Sequence, residues 1–371
     1  MNFDLTEDQQ VISDLAEQIL NGRMSVDRLK AAERGSGWDP DVWAALAEAN
    51  LVSLCLPDHL GGSGMGAIEL ALVAEAQGRN LAPVPLVPTV VTAMAIAEFT
   101  DPGTHDDLLA GVADGSVLVT SALASSGVND PLVPGVRATP TADGGWRLEG
   151  TKPAVPYGAE SAAVAVPAQL ADGTSLVALV RTDAPGVTVD AETTTNHQPA
   201  ASITLATEVH STDVLGAAGD EAAEVTRWLY EHTVAAMCSV QVGVAEGALA
   251  MTAAHVSDRQ QFGRPLSAFQ AVTQRAADAW ITTEAMRVTS RNAAWRLGAG
   301  LDARRDVSVA AWWATDGGQK VVTACQHLHG GIGADVDYPV HRYFLWGVQN
   351  GTTLGAASAH LARLGGLLAR S

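Results

Sequence analysis

The spacing of the apolar residues changes twice along the chain, and this change constrains the fold more strongly than any single motif. Up to about residue 115 the apolar residues recur at helical spacing, as Val11, Leu15 and Ile19 do. Short apolar runs separated by Gly, Pro and Asp follow, and Ala142–Gly150 is typical of a hairpin with an Asp-Gly turn. Helical spacing then returns. We therefore predict an α+β fold with an α-helical domain over 1–115, a β domain over 116–215 and a helical domain over 216–371 that is large enough for a four-helix bundle.

The composition is that of an ordinary folded protein, but the chain is strongly acidic. Its 371 residues are 47% hydrophobic and 17% charged, and they suffice for two or three domains. The net charge of −19 repels nucleic acid and anionic membrane surfaces, so neither is predicted as a partner. An anionic ligand would therefore need a local basic pocket.

The cysteines and the apolar runs indicate the cellular compartment. Cys55, Cys238 and Cys325 have no metal-ligand spacing, and their odd number argues against a disulfide framework. The first residues lack the basic and apolar regions of a signal peptide, and no apolar run of about 18 residues is evident. We expect a cytoplasmic protein without a metal site.

The residues from Asp258 to Gln270 form the most distinctive motif. Arg259 follows a predicted helix, and the glycine and proline after it are typical of a helix end. A guanidinium in such a place can also bind a pyrophosphate through two hydrogen bonds, and Phe262 can pack on a flat heterocycle. Gln270 lies in the next predicted helix as either a ligand contact or a surface residue.

A second motif, His327–Gly333, contains three glycines in four positions. It can be a glycine-rich helix end or a backbone that approaches a ligand where no Cβ would fit. No metal-ligand residues accompany its histidines, so a metal site is not predicted.

Both motifs resemble those of the acyl-CoA dehydrogenase family. The resemblance covers nearly the whole chain and includes Leu56-Pro57 with the glycines that follow, and the run Pro339–Tyr343. It implies a helical domain, a β domain and a helical bundle in a tetramer with FAD at subunit interfaces. It also implies that this chain contacts the ADP half of an FAD seated mainly on a neighbouring subunit, through Arg259, Phe262, Gln270, His327, Gly330 and Gly331.

The catalytic residue of that family is missing. Its usual base is a glutamate before Gly-Thr, where this chain has Asn350, and a neutral amide has no useful basicity. In some members the glutamate lies on the preceding helix instead, at a position that corresponds to Thr233. The neighbours Glu231 and His232 are candidate replacements, but adjacent helical residues point about 100° apart.

Two further departures concern the flavin. The family's Thr-Glu-Pro-x-x-Gly-Ser segment is replaced by Ala124–Asp130, and its Ile-Thr-Asn-Gly segment by Val155–Gly158, in which Pro156 has no N–H to donate. The family's glutamine three residues before Gly330 is His327, with Gln326 one place earlier. The departures predict that this chain's own flavin cradle is defective.

Our hypothesis is therefore a non-catalytic, FAD-anchoring subunit. The pattern resembles the α2β2 acyl-CoA dehydrogenases of actinobacterial steroid side-chain degradation, in which a homologous partner supplies the catalytic glutamate and binds most of the acyl-CoA. Two alternatives remain. One is a self-sufficient homotetrameric dehydrogenase with a relocated base. The other is a flavin-free structural or acyl-CoA-binding paralogue.

Overall fold

A computed structural model describes residues 4–125, 130, 132–353 and 355–369 of the chain. The helices are α1 (Glu7–Arg23), α2 (Val26–Arg34), α3 (Pro40–Glu48), α4 (Ala67–Arg79), α5 (Leu86–Phe99), α6 (Asp106–Ala113), α7 (Asp220–Asp258), α8 (Gln270–Gly298), α9 (Arg304–Trp312), α10 (Gly318–Leu328), α11 (Val340–Thr352) and α12 (Ala357–Ala369). The strands are β1 (Val119–Ser121), β2 (Val136–Pro140), β3 (Trp146–Pro156), β4 (Ala163–Gln169), β5 (Ser175–Arg181), β6 (Val187–Thr193), β7 (Pro199–Val209), β8 (Gln260–Gln261) and β9 (Arg264–Pro265).

Side-chain caps determine where the first helices begin. Thr6 and Gln9 form a capping box before α1, in which each side chain accepts a hydrogen bond from the backbone N–H of the other residue. Asp39 accepts a hydrogen bond from the backbone N–H of Val42 at 3.1 Å, and Pro40 occupies the first turn of α3.

A cluster of three prolines, Pro83, Pro85 and Pro88, follows the end of α4. α5 starts directly after Pro85, and Pro88 lies in its first turn, where a missing N–H removes no intrahelical hydrogen bond. The prolines therefore separate two helices, α4 and α5, and α5 was missed in the sequence.

The β region forms one seven-stranded sheet in the order β1-β4-β2-β3-β7-β6, with β5 paired to β4. β1 and β2 run parallel to β4, and the remaining pairs are antiparallel. The predicted hairpin is β2–β3, in which Pro140 is opposite Trp146 and Gly144 takes a φ of 85°. β7 was missed, although its alternating buried residues pack in the core of the sheet; they include Ile203, Leu205 and Val209.

Long helices make up the C-terminal part. α8 packs against α9 and α10, and α10 packs against α11. α9 continues into α10 through a π-helical turn at Trp313–Gly317. Contrary to expectation, α7 is long and apolar enough to span a membrane by length and composition. However, 72% of its most apolar window is buried inside the fold, as in a core helix.

By packing, the chain divides into two compact units, and the three predicted domains stay a prediction. One unit comprises 1–31, 67–82 and 234–371, and the other comprises 32–66 and 83–233. The first unit contains a cluster of ion pairs, in which Arg79 and Arg287 both bind the carboxylates of Glu75 and Glu246. The second contains the sheet, with α5 packed against β1.

Candidate functional site

A cavity of about 580 Å³ lies where α7 and α10 end and α8 begins. The short β8–β9 hairpin after α7 turns the chain into α8, and a 3₁₀ turn at Gly330–Ala334 follows α10. The cavity is thus formed by segments that are far apart in sequence. Its walls are His255, Arg259, Leu266, Ala271, Val272, Arg275, His327, Leu328, His329, Gly330, Gly331 and Ile332.

Two guanidinium groups line this cavity. Arg259 has its backbone fixed by two hydrogen bonds, from its N–H to His255 and from Leu266 to its carbonyl. Arg275 projects from α8. Neither guanidinium forms an ion pair with another described residue. The cavity therefore has unneutralised positive charge on a strongly acidic chain, which suits a pyrophosphate.

The glycine turn leaves the cavity open on one side. Gly330 has a φ of 64°, and a Cβ added at Gly330 or Gly331 would meet nothing within 4 Å. Gly333 is different, because a Cβ there would lie 2.5 Å from the carbonyl oxygen of Gln326. Gln326 Nε2 also donates to the Gly333 carbonyl at 3.0 Å, so this glutamine holds the turn while His327 lines the cavity.

Four of the six residues predicted to bind the cofactor line the cavity; they are Arg259, His327, Gly330 and Gly331. Phe262 and Gln270 do not line it. Phe262 is the hairpin turn residue with a φ of 54°, it is 91% exposed, and its ring meets that of Phe269 edge-on at 6.1 Å. Gln270 is an exposed first residue of α8.

The sequence assigned no role to His255, Arg275 or His329, although all three line the cavity. The imidazoles of His255 and His329 are stacked with their centroids 4.5 Å apart. The spacing of His255 and Arg259, one helical turn apart, is the signal that could have placed both side chains on one face.

The position predicted to correspond to the family's base lies in a closed site that contains two amides. Asn350 on α11 is buried, and its Nδ2 donates to Oε1 of Gln241 on α7 at 3.0 Å. The adjoining cavity measures about 20 Å³, enough for about one water molecule. Its walls are Val234, Met237, Cys238, Gln241, Ala311, Ala314, Thr315, Asn350, Thr353 and His360. An amide pair in this space can exchange hydrogen bonds but cannot accept a proton.

The candidate replacement bases lie earlier on α7. His232 is buried and stacked on Trp228 with ring centroids 3.7 Å apart, and its Nδ1 is 2.9 Å from the Trp228 carbonyl oxygen. Burial lowers the pKa of His232 to about 4, and the hydrogen bond to Trp228 opposes this. Thr233 is also buried, while Glu231 is half-buried. The His232 ring is therefore held by its neighbours.

In the β region, part of the replaced segment Ala124–Asp130 lies outside the described residues. Ser125 is described, and its Oγ accepts hydrogen bonds from Nζ of the buried Lys152 at 3.0 Å and from the backbone N–H of Gly135. The Pro156 carbonyl accepts from Oγ1 of Thr120 at 2.8 Å. These contacts are internal to the sheet region.

Two family models match the chain. The model described as acyl-CoA dehydrogenase, N-terminal domain, matches residues 6–116, and the model of the C-terminal domain matches residues 223–355. Acyl-CoA dehydrogenase FadE27 of Mycobacterium tuberculosis is 34% identical to this chain, with 100% of each chain covered. The predicted α+β fold of this family is confirmed by these matches.

Two solved structures are also similar. The first, a variant of the Tcur3481-Tcur3483 steroid ACAD, has a TM-score of 0.91 and 44% identity, and the match covers 98% of each chain. The second, the ChsE4-ChsE5 complex from Mycobacterium tuberculosis, has a TM-score of 0.93 and 34% identity over 100% of each chain. The predicted resemblance to steroid dehydrogenases of paired subunits is thus confirmed, and this chain belongs to the acyl-CoA dehydrogenase family.

Proposed function

We propose that this chain is the non-catalytic, FAD-anchoring subunit of a heteromeric acyl-CoA dehydrogenase. The observation that carries the proposal is the hydrogen bond between the buried side chains of Asn350 and Gln241. It fills the base position with two neutral amides in a cavity of about 20 Å³. Because α,β-dehydrogenation requires removal of an α proton, the complex needs a base from another chain.

The residues of the larger cavity fit the ADP half of FAD. Arg259 and Arg275 offer guanidinium donors to the pyrophosphate, and the open backbone at Gly330 and Gly331 permits close approach. The exposed ring of Phe262 lies outside the cavity and would pack on the nucleotide only from the hairpin turn. When bound, the flavin supplies hydride acceptance; this chain's residues bind and orient the nucleotide.

The partner in this proposal is a homologous catalytic subunit in an α2β2 assembly, which binds most of the acyl-CoA. Support comes from the two similar structures, both of which pair two named polypeptides. One of them is named as a steroid ACAD, and we extend that substrate class to this chain as a steroid side-chain CoA thioester. The three cysteines are buried and form no disulfide among the described residues, which fits a cytoplasmic location.

The test is to purify the chain alone and in the complex that an affinity tag on this chain recovers from its native host. We expect the complex to contain FAD and to oxidise a steroid side-chain acyl-CoA to the 2-enoyl product. The isolated chain should have no turnover even with added FAD. Full flavin loading and activity of the isolated chain would refute the proposal.

The same preparations decide between the alternatives. A self-sufficient dehydrogenase would be active alone, and its activity would require Glu231 or His232. A flavin-free paralogue would give a colourless complex. A yellow complex that loses flavin in Arg259→Ala, with unchanged subunit composition, excludes the flavin-free alternative.

A further inference from the structure

One wall of the larger cavity consists of two stacked imidazoles. The ring planes of His255 on α7 and His329 after α10 differ by 24°, and their centroids are 4.5 Å apart. His329 is 5% exposed, and its Nδ1 lies 2.8 Å from the Cys325 carbonyl oxygen, so Nδ1 carries the hydrogen. Tyr338 packs against both rings. His329 is therefore a fixed surface on which the second imidazole rests.

The ring nitrogens of His255, by contrast, can bind a ligand. It is half-buried, and neither of its ring nitrogens is hydrogen-bonded within the part of the chain that the structure describes. It precedes Arg259 by four residues, and the Arg259 N–H donates to the His255 carbonyl, so the two residues lie one turn apart at the end of α7. With Arg275 from α8, the cavity thus presents an imidazole and two guanidiniums. Such a donor set suits a polyanion better than a neutral ligand.

We propose that His255 is a further contact of the dinucleotide, donating a ring N–H to its diphosphate, and that His329 positions this ring by stacking. The inference rests on the proposed function. It gives roles to two residues to which the sequence motifs assigned none. A second observation supports it: Nε2 of the buried His329 has no hydrogen-bond partner among the described residues. Packing alone does not require two imidazoles at one cavity whose ring nitrogens lack hydrogen bonds to described residues.

Binding of this kind is linked to protonation. Burial lowers the pKa of His255, Arg259 lowers it further and Asp258 partly opposes both. Burial and the neighbouring His255 lower the pKa of His329. The other titratable or charged groups at these rings are Arg275, His327 and Tyr338. A diphosphate raises the pKa of His255, so binding takes up a proton and affinity rises as pH falls, by up to about tenfold per pKa unit gained.

The experiment uses the native complex, from which FAD release is followed by flavin fluorescence on dilution between about pH 8 and about pH 5.5. The wild type should bind FAD several-fold more tightly at the lower pH. His255→Gln retains an N–H donor but does not titrate, so it should keep most of the affinity and lose the pH dependence. His255→Phe retains only the stacked ring and should bind more weakly throughout.

The positioning role has its own pair of variants. His329→Phe preserves a stacking surface and should keep the pH dependence, whereas His329→Leu should flatten it at an equal thermal unfolding midpoint. If His255→Phe equals the wild type in affinity and pH dependence while Arg259→Ala releases flavin, this inference is wrong and the proposed function stands. If neither His255→Phe nor Arg259→Ala changes flavin binding, both are wrong.

Discussion

The cavity beside Arg259 and the cavity beside Asn350 differ in whether their polar side chains already have partners within the chain. In the first, two guanidiniums and an imidazole have no hydrogen-bond or ion-pair partner among the described residues. In the second, the amides of Asn350 and Gln241 bind each other, and the space is about 20 Å³. One site retains the capacity to bind a ligand, and the other has become core.

Under the proposed function, this difference means that the binding and catalytic functions of the family are separated within one helical unit. Both cavities use α7, which contributes His255 to one, with Arg259 directly after its last residue, and Gln241 to the other. Losing a base requires only that a carboxylate be replaced by a group its neighbours can satisfy. Retaining a nucleotide contact requires several residues that are far apart in sequence to lie together, and Arg259, His327 and Gly330 do line one cavity.

The largest expected effect comes from filling the open cavity. Gly331→Leu should leave folding unchanged, because a Cβ there meets nothing within 4 Å in this chain, but its side chain occupies space that the nucleotide needs. We expect FAD affinity of the native complex to fall by about 100-fold, or about 2.7 kcal/mol. Gly365→Leu on α12, where a Cβ also meets nothing, is the matched control and should bind FAD normally. Equal affinity of both variants would show that the nucleotide lies elsewhere.

The next effect comes from breaking the closed site. Asn350→Leu removes the only hydrogen bond given to Gln241 Oε1 by a described residue and leaves a buried acceptor unsatisfied. The free energy of unfolding should fall by about 2 kcal/mol in urea titrations. The double variant Gln241→Met/Asn350→Leu removes both polar partners and should recover much of this loss. If the single variant is as stable as the wild type, the amide pair does not hold the site.

These two regions also differ in how far the sequence could predict them. The predicted loss of the base rests on one position, Asn350. Its partner Gln241 is 109 residues away and belongs to no recognised motif, so the closed site could not be predicted. The motifs located the open cavity, because Arg259 and Gly330 fall on its walls. They could not supply Arg275, which enters the cavity only through the packing of α8.

The same limit applies to the fold. The caps Thr6 and Asp39 are local, and the helices that they begin lie in the region predicted to be helical. β7 was missed although its residues alternate, since its threonines and alanines are only weakly apolar. Residues 67–82 belong to the same compact unit as the C-terminal helices. This depends on contacts such as the Glu75–Arg287 ion pair, which no local sequence pattern predicts.

A smaller effect should appear on acidification, because the closed cavity also contains the buried His360. Burial first, and Arg363 second, lower the pKa of His360 to about 4, while a hydrogen bond to Gly355 opposes them. The unfolded chain, with an ordinary histidine pKa of about 6.5, binds the proton first, so stability is full above that value and is lost as pH falls towards the folded pKa. Between about pH 7 and about pH 5 the loss should be about 1 to 2 kcal/mol.

Unfolding titrations at the two pH values measure this effect. His360→Leu should remove that part of the acid sensitivity, and His59→Leu, which changes an exposed histidine, is the control that should keep it. An acid sensitivity that is the same in both variants would mean that another group is responsible.

The smallest expected effect is on turnover, and it tests whether any base remains on this chain. Glu231→Gln and His232→Phe should each change the activity of the native complex by less than about twofold, because in the proposed function another subunit removes the proton. Phe at 232 keeps the aromatic stack on Trp228, so a loss of activity could not be attributed to lost packing. His232 is poorly placed to act, since its Nδ1 is at hydrogen-bond distance from the Trp228 carbonyl. A tenfold or greater loss of turnover at unchanged flavin content would restore this chain as a catalytic subunit and remove the distinction between the open and the closed site.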